Sequence, residues 1–134
     1  MDLYAEEILE HYRHPRCKTR LQSPSVSHEE INHSCGDAMT IDLTLENGTV
    51  SAVGWDGTGC AISQACISMM SETIVGKEED ELLALTQKDI LDMLAVPIGP
   101  RRTKCALLAL QAIKNALRIA RGDHPQSWSE TLAL

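Results

Sequence analysis

Apolar residues recur at helical spacing over residues 2–14, where Tyr4, Ile8, Leu9 and Tyr12 share one side and Glu6, Glu7 and Glu10 lie elsewhere, until Pro15 ends the pattern. This predicts an amphipathic first helix. Residues 18–32, polar and weakly patterned around Pro24, leave room for one short strand. From Met39 the period drops to two: Met39, Ile41, Leu43 and Leu45 face one way and Thr40, Asp42 and Thr44 the other. Asn47-Gly48 is a strong hairpin turn, since both residues tolerate positive φ, so Val50–Trp55 should return antiparallel. Residues 61–75 are helical up to Gly76, and 77–95 suggest shorter acidic helices that "VPIGP" breaks. After Pro100 a final helix should run to about Arg121, with Ala106, Leu110, Ile113, Leu117 and Ala120 as its buried stripe. The tail from Gly122 reads as frayed.

These elements predict one α+β domain over residues 1–134, a small antiparallel β-sheet covered by α-helices. At 134 residues and 43% hydrophobic content the chain can build its own core. Phe is absent, so that core must be aliphatic. A formal net charge of −7 argues against gripping nucleic-acid phosphates. No apolar run has the length of a membrane span, and the opening "MDLYAEEILEHY" is acidic and amphipathic, unlike a signal peptide; a cytoplasmic location follows as the expectation.

The candidate chemistry lies in sulfur. Cysteines at 17, 35, 60, 66 and 105 are odd in number and include no Cys-x-x-Cys, so a disulfide framework, a thioredoxin-like pair and a zinc ribbon are all poorly indicated. Three of them fall at the edges of predicted elements. Cys35 precedes a strand with Asp37 two residues on, Cys60 follows "DGTG" at a helix amino terminus, and Cys105 lies in the first turn of the last helix. Unpaired N–H groups at a helix start favour a thiolate over a thiol. Cys35, Asp37, Cys60 and Cys105 thus make a four-ligand candidate, although separations of 25 and 45 residues match no zinc-finger spacing.

The stretches "NHSCGD", "GTGCAISQACISMM" and "RRTKCALLAL", with the opening "LYAEEILEHYRHPR", resemble the U-type iron-sulfur cluster scaffold family, which includes IscU, SufU and the amino-terminal domain of NifU. The resemblance covers nearly the whole chain. It implies that Cys35, Asp37, Cys60 and Cys105 hold a transient [2Fe-2S] cluster, assembled from Fe2+, or alternatively Zn2+. It also implies a cysteine desulfurase as sulfur donor and apo iron-sulfur proteins as clients, with assembly either within one chain or across a homodimer. A carboxylate is a harder ligand than a thiolate, so Asp37 would leave a cluster easier to release. Three thiolates and one carboxylate sum to −4 against +2 for zinc or an oxidised [2Fe-2S] core; Arg102 and Lys104, flanking Cys105, are the cations expected to offset the excess. Between helix start and cations, Cys105 is the favoured persulfide acceptor and Cys35 the alternative.

The chain departs from its relatives in three places. The His that precedes the third cysteine in the IscU branch is Lys104, which is similar to SufU and favours zinc-dependent sulfur transfer. The 45-residue interval between Cys60 and Cys105 is IscU-like and leaves no room for the SufU insertion. "AVPIGP" replaces the chaperone-binding Leu-Pro-Pro-Val-Lys. Cys66 is expected in the core, Cys17 as an incidental thiol where relatives have Asn, and His33 as a solvated loop residue. His11 and His14 on the first helix should serve a surface or partner-docking role.

Overall fold

A computed structural model describes residues 3–34 and 36–133. Its centre is an antiparallel sheet of order β1-β2-β3, with β1 at Val26–Asn32, β2 at Asp37–Glu46 and β3 at Thr49–Thr58. The β2–β3 turn is the one the sequence announces: Asn47 and Gly48 take φ of 54° and 77°, the left-handed pair of a tight hairpin. Strand β2 begins at Asp37, two residues before the hydrophobic alternation starts, because Asp37 pairs with Asn32 at the turn end of the β1–β2 hairpin. The weakly patterned segment does contain β1; its burial alternates poorly, which is why alternation there is faint.

The inner face of the sheet carries Met39, Ile41, Leu43, Val53 and Trp55, and the helices cover it. Helix α1 (Leu3–Arg13) packs on α2 (Ala61–Ile74), α2 packs on α5 (Thr103–Ala120), and α5 lies across β1 and β2. Two short helices, α3 (Glu79–Leu83) and α4 (Gln87–Leu94), form the acidic stretch, each opened by a reciprocal capping box, Glu78 with Glu81 and Thr86 with Asp89. A 3-10 turn at Pro100–Arg102 leads into α5.

Several expectations are corrected by the packing. Helix α5 is buried on every side from Cys105 to Leu117, not along one stripe, because it lies between the sheet, α2, α3 and α4; Ala120, assigned to the stripe, is exposed beyond the core. On α1, Tyr4 and Tyr12 are exposed and the buried pair is Ile8 and His11. His11 is therefore no surface group. Its Nδ1 lies 2.7 Å from the Ser68 hydroxyl, which also accepts the Arg16 amide at 2.8 Å. With Glu72 3.5 Å from Nε2, we assign the ring proton to Nε2. Burial first, and the nearby Arg16 charge second, hold the imidazole below its ordinary pKa.

The tail is not frayed either. Residues Trp128–Ala133 form a helix, α6. The Gln126 amide N–H donates to Asn115, its carbonyl accepts from Gln111 and Asn115, and Thr131 donates to Gln111. These partners are polar side chains buried on α5, which a hydrophobicity pattern does not register.

On the outer face of the sheet Asp42 points away from the core, as its alternation requires, yet it is completely buried under the segment around Arg20 and Leu21. It accepts Arg20 Nε at 2.6 Å, Ser27 Oγ at 2.6 Å and the Leu21 amide at 3.0 Å. Burial alone would raise its pKa, but these donors outweigh it and the carboxyl sits below its ordinary value.

Candidate metal centre

Three chain segments meet at one end of the sheet. The first is the β1–β2 connection, where Gly36 adopts φ of 78° and its amide donates to the Asn32 carbonyl at 2.9 Å, turning the chain into Asp37. The second leaves β3 and places Cys60 at the N-cap of α2, where it makes no side-chain cap. The third is the first turn of α5, which carries Cys105. A carboxylate oxygen of Asp37 and the sulfurs of Cys60 and Cys105 all lie within 4.8 Å of one another. Residues 68 positions apart in the chain, Asp37 and Cys105, thus share one small volume. Cys35, the fourth expected ligand, lies outside the described residues.

Asp37 is 4% exposed, and its Oδ2 is buried without a hydrogen-bond partner among the described residues. Such an atom loses its water and gains nothing, a cost on the order of 1–3 kcal/mol in a metal-free fold. A cation held by this carboxylate and two thiolates would compensate for the lost water. The donor set also suits borderline-soft metals: thiolates select zinc and iron, and one carboxylate is tolerated by both.

Residues that a ligand search by type passes over shape the centre. Asn32, 2% exposed, donates its side-chain N–H toward the Cys105 sulfur at 3.9 Å and accepts the Ser34 amide at 3.2 Å, tying the β1–β2 connection to α5. Ser63 lies one turn into α2, with its hydroxyl 3.9 Å from the Cys60 sulfur. The glycine directly before Cys60 is a matter of space: a Cβ on Gly59 would strike the Ser63 hydroxyl and come within 2.9 Å of Asp37 Oδ1. The "GTGC" motif therefore brings backbone against the carboxylate, a close approach only glycine permits.

The expected cations take up different positions. Lys104 Nζ lies 5.9 Å from the centroid of the Trp128 ring. Arg102 is exposed and borders an apolar depression with Ile8, Leu9 and Val96. Cys66 lies in the core with no exposure, and burial pushes its thiol up to about 12. Cys17 is exposed in the left-handed region at φ 60°, a conformation that Asn tolerates better than Cys. His33 and His14 are exposed, as expected.

Residues 3–123 match the family described as the NifU-like N terminal domain. The chain belongs to that family. Within the NifU-like N-terminal domain family, the iron-sulfur cluster assembly scaffold protein IscU of Thermotoga maritima is 32% identical, aligned over 87% of this chain and 93% of its own. The zinc-dependent sulfurtransferase SufU of Bacillus subtilis is 29% identical, over 91% and 94%. The crystal structure of a NifU-like protein N-terminal region from Brucella abortus superposes with a TM-score of 0.76, covering 90% of this chain and 95% of the other, at 23% identity; it shows the shared fold. No helix among the described residues is long and apolar enough to cross a membrane.

Proposed function

We propose that this protein is an iron-sulfur cluster assembly scaffold of the IscU/SufU type, which accepts sulfur from a cysteine desulfurase, binds iron, and builds a transient [2Fe-2S] cluster for transfer to apo-proteins. The observation that carries the proposal is the convergence of the buried Asp37 carboxylate, one oxygen of which has no hydrogen-bond partner among the described residues, with Cys60 and Cys105. Family membership and the similarity to a relative named as a scaffold support it. Cys35 completes the ligand set in this reading.

The chemistry assigns each residue a task. A thiolate, Cys105 by preference and Cys35 otherwise, attacks the outer sulfur of the donor persulfide; the donor leaves as a thiolate and the acceptor holds the sulfane sulfur. Two electrons from an external donor must then reduce that sulfur to sulfide. The three thiolates hold iron, and Asp37, the harder ligand, is the one most readily exchanged when the product departs. Asn32, within reach of the Cys105 sulfur, orients it. Arg102 and Lys104 carry positive charge at the start of α5 and, in this reading, lend electrostatic support to the Cys105 thiolate.

A second reading is a zinc-dependent sulfurtransferase that turns over with its desulfurase. Lys104 before Cys105 and the 29% identity to SufU favour it. Here zinc would be held by the same donors and would keep the thiols deprotonated until one is released.

One experiment separates the two readings. Zinc-free protein is reconstituted anaerobically with iron, cysteine and a desulfurase, followed by visible absorbance and by transfer to an apo-ferredoxin. A chromophore that forms, requires Cys35, Cys60 and Cys105, and moves to the acceptor is the expected result. Absence of a cluster, with zinc-loaded protein accelerating the desulfurase, would replace the scaffold reading by the second.

A further inference from the structure

Beside Cys105, and apart from the ligand atoms, lies a cavity of about 510 Å³ whose walls include Asn32, Ser34, Arg101, Thr103, Lys104 and Leu132. Its character differs from that of the chain as a whole. The protein carries a net charge of −7, yet residues 93–122 contain no Asp or Glu and six Lys or Arg, two of which line this cavity. The remaining polar lining is an amide and two hydroxyls, and among the described residues no carboxylate takes part.

The third wall comes from an unexpected source. The family match ends at residue 123, whereas Leu132 and Trp128 belong to α6 beyond it. That segment is anchored through Gln126 to Asn115 and Gln111, and the Gln87 side chain donates to the Leu132 carbonyl at 3.0 Å. Trp128 lies under the Lys104 ammonium at 5.9 Å, a cation–π contact that holds a flexible side chain at the cavity wall. Asn32 connects the two compartments, lining the cavity while its amide points to the Cys105 sulfur.

We propose that this cavity is a binding site for a small organic carboxylate of amino-acid size, paired with Arg101 and Lys104, and that Trp128 is a positioning residue for Lys104. The planar guanidinium matches a carboxylate in a fork geometry, and an ammonium adds a point charge beside it. Three chain segments border this half-open cleft, whose size suits a small molecule better than a partner's surface. The site deepens the scaffold reading by placing a ligand next to Cys105, but its binding requires neither metal nor cluster.

The test uses the full-length, chelator-treated protein at fixed pH and ionic strength, with N-acetylalanine as probe and its neutral amide as control. Trp55 is fully buried, so Trp128 is the emission expected to respond; isothermal calorimetry gives the affinity independently. Saturable binding of the acid is expected, with the amide at least tenfold weaker. Lys104→Met and Arg101→Met should each weaken binding about tenfold, Lys104→Arg should retain it, and Trp128→Leu should weaken it severalfold by calorimetry. Far-ultraviolet circular dichroism confirms that each variant is folded. No saturable binding by either method, equal binding of the amide, equal competition by phosphate, or parent affinity in both charge variants would overturn the site. Parent affinity in Trp128→Leu would overturn the positioning role. Since no metal is present, failure here leaves cluster reconstitution unaffected, and failed reconstitution leaves this binding unaffected.

Discussion

Replacing Asp37 by alanine separates what the carboxylate costs the metal-free protein from what it contributes when a metal is held. Asp37 is 4% exposed and its Oδ2 has no hydrogen-bond partner among the described residues, so removing it relieves roughly 1–3 kcal/mol of desolvation. The void left by the carboxyl group offsets about 1 kcal/mol of that gain. The chelated variant should therefore be more stable than the parent by about 1 kcal/mol, or about 4 °C in Tm for a chain of this size. With zinc the order reverses. Loss of a direct ligand should weaken binding by at least the roughly 10- to 100-fold that follows loss of a ligand's supporting hydrogen bond, about 1.4–2.8 kcal/mol. At saturating metal that difference appears in full as a smaller zinc-induced rise in stability. Thermal unfolding with and without zinc, in parent and variant, measures both terms. A variant that is less stable than the parent when chelated, yet gains as much from zinc, would refute the assignment of Asp37 as a strained ligand and make it an ordinary structural carboxylate.

Asp42→Ala should cost about 3 kcal/mol by urea denaturation, because it strips Arg20, Ser27 and the Leu21 amide of a shared buried acceptor. Arg20→Ala should cost less, since the guanidinium is half-exposed and Ser27 and Leu21 still serve the carboxylate. Cys17→Gly should stabilise by about 0.5–1 kcal/mol, as φ of 60° is strained for cysteine and open to glycine; the denaturation midpoint checks it. His11 binds its proton less readily folded than unfolded, because of burial and then Arg16. Stability from this group should be complete above the unfolded pKa of about 6.5 and decline as pH falls below it toward the lower folded value, a slope that His11→Gln should abolish. In the native protein a thiol reagent at pH 8 should modify the exposed Cys17 within minutes and leave Cys66, pushed up to about 12 by burial, untouched until unfolding; peptide mapping distinguishes them.

Much of the architecture was legible along the chain because it is written in local terms. Period two marks β2, Asn47-Gly48 marks its hairpin, and helical spacing marks α2 and the start of α5. The motif residues were legible too, since Asp37, Cys60 and Cys105 stand at element ends where backbone groups and turns make sites. What pattern could not carry was polar burial. His11, Asp42 and Asn115 look like surface residues in sequence, and each is buried only because a distant segment brings a partner: Ser68, Arg20 and Gln126.

The same division holds at the centre. Residue types at the ends of predicted elements made Cys35, Asp37, Cys60 and Cys105 a candidate donor set, and the resemblance to the U-type scaffold family gave that set its expected role. Tertiary structure decided that Asp37 would be buried with an oxygen unmet, that Asn32 would reach Cys105, and that the tail would wall a cationic cavity beside it. Those outcomes depend on contacts between residues tens of positions apart, and such contacts exist only once the sheet and α5 have packed.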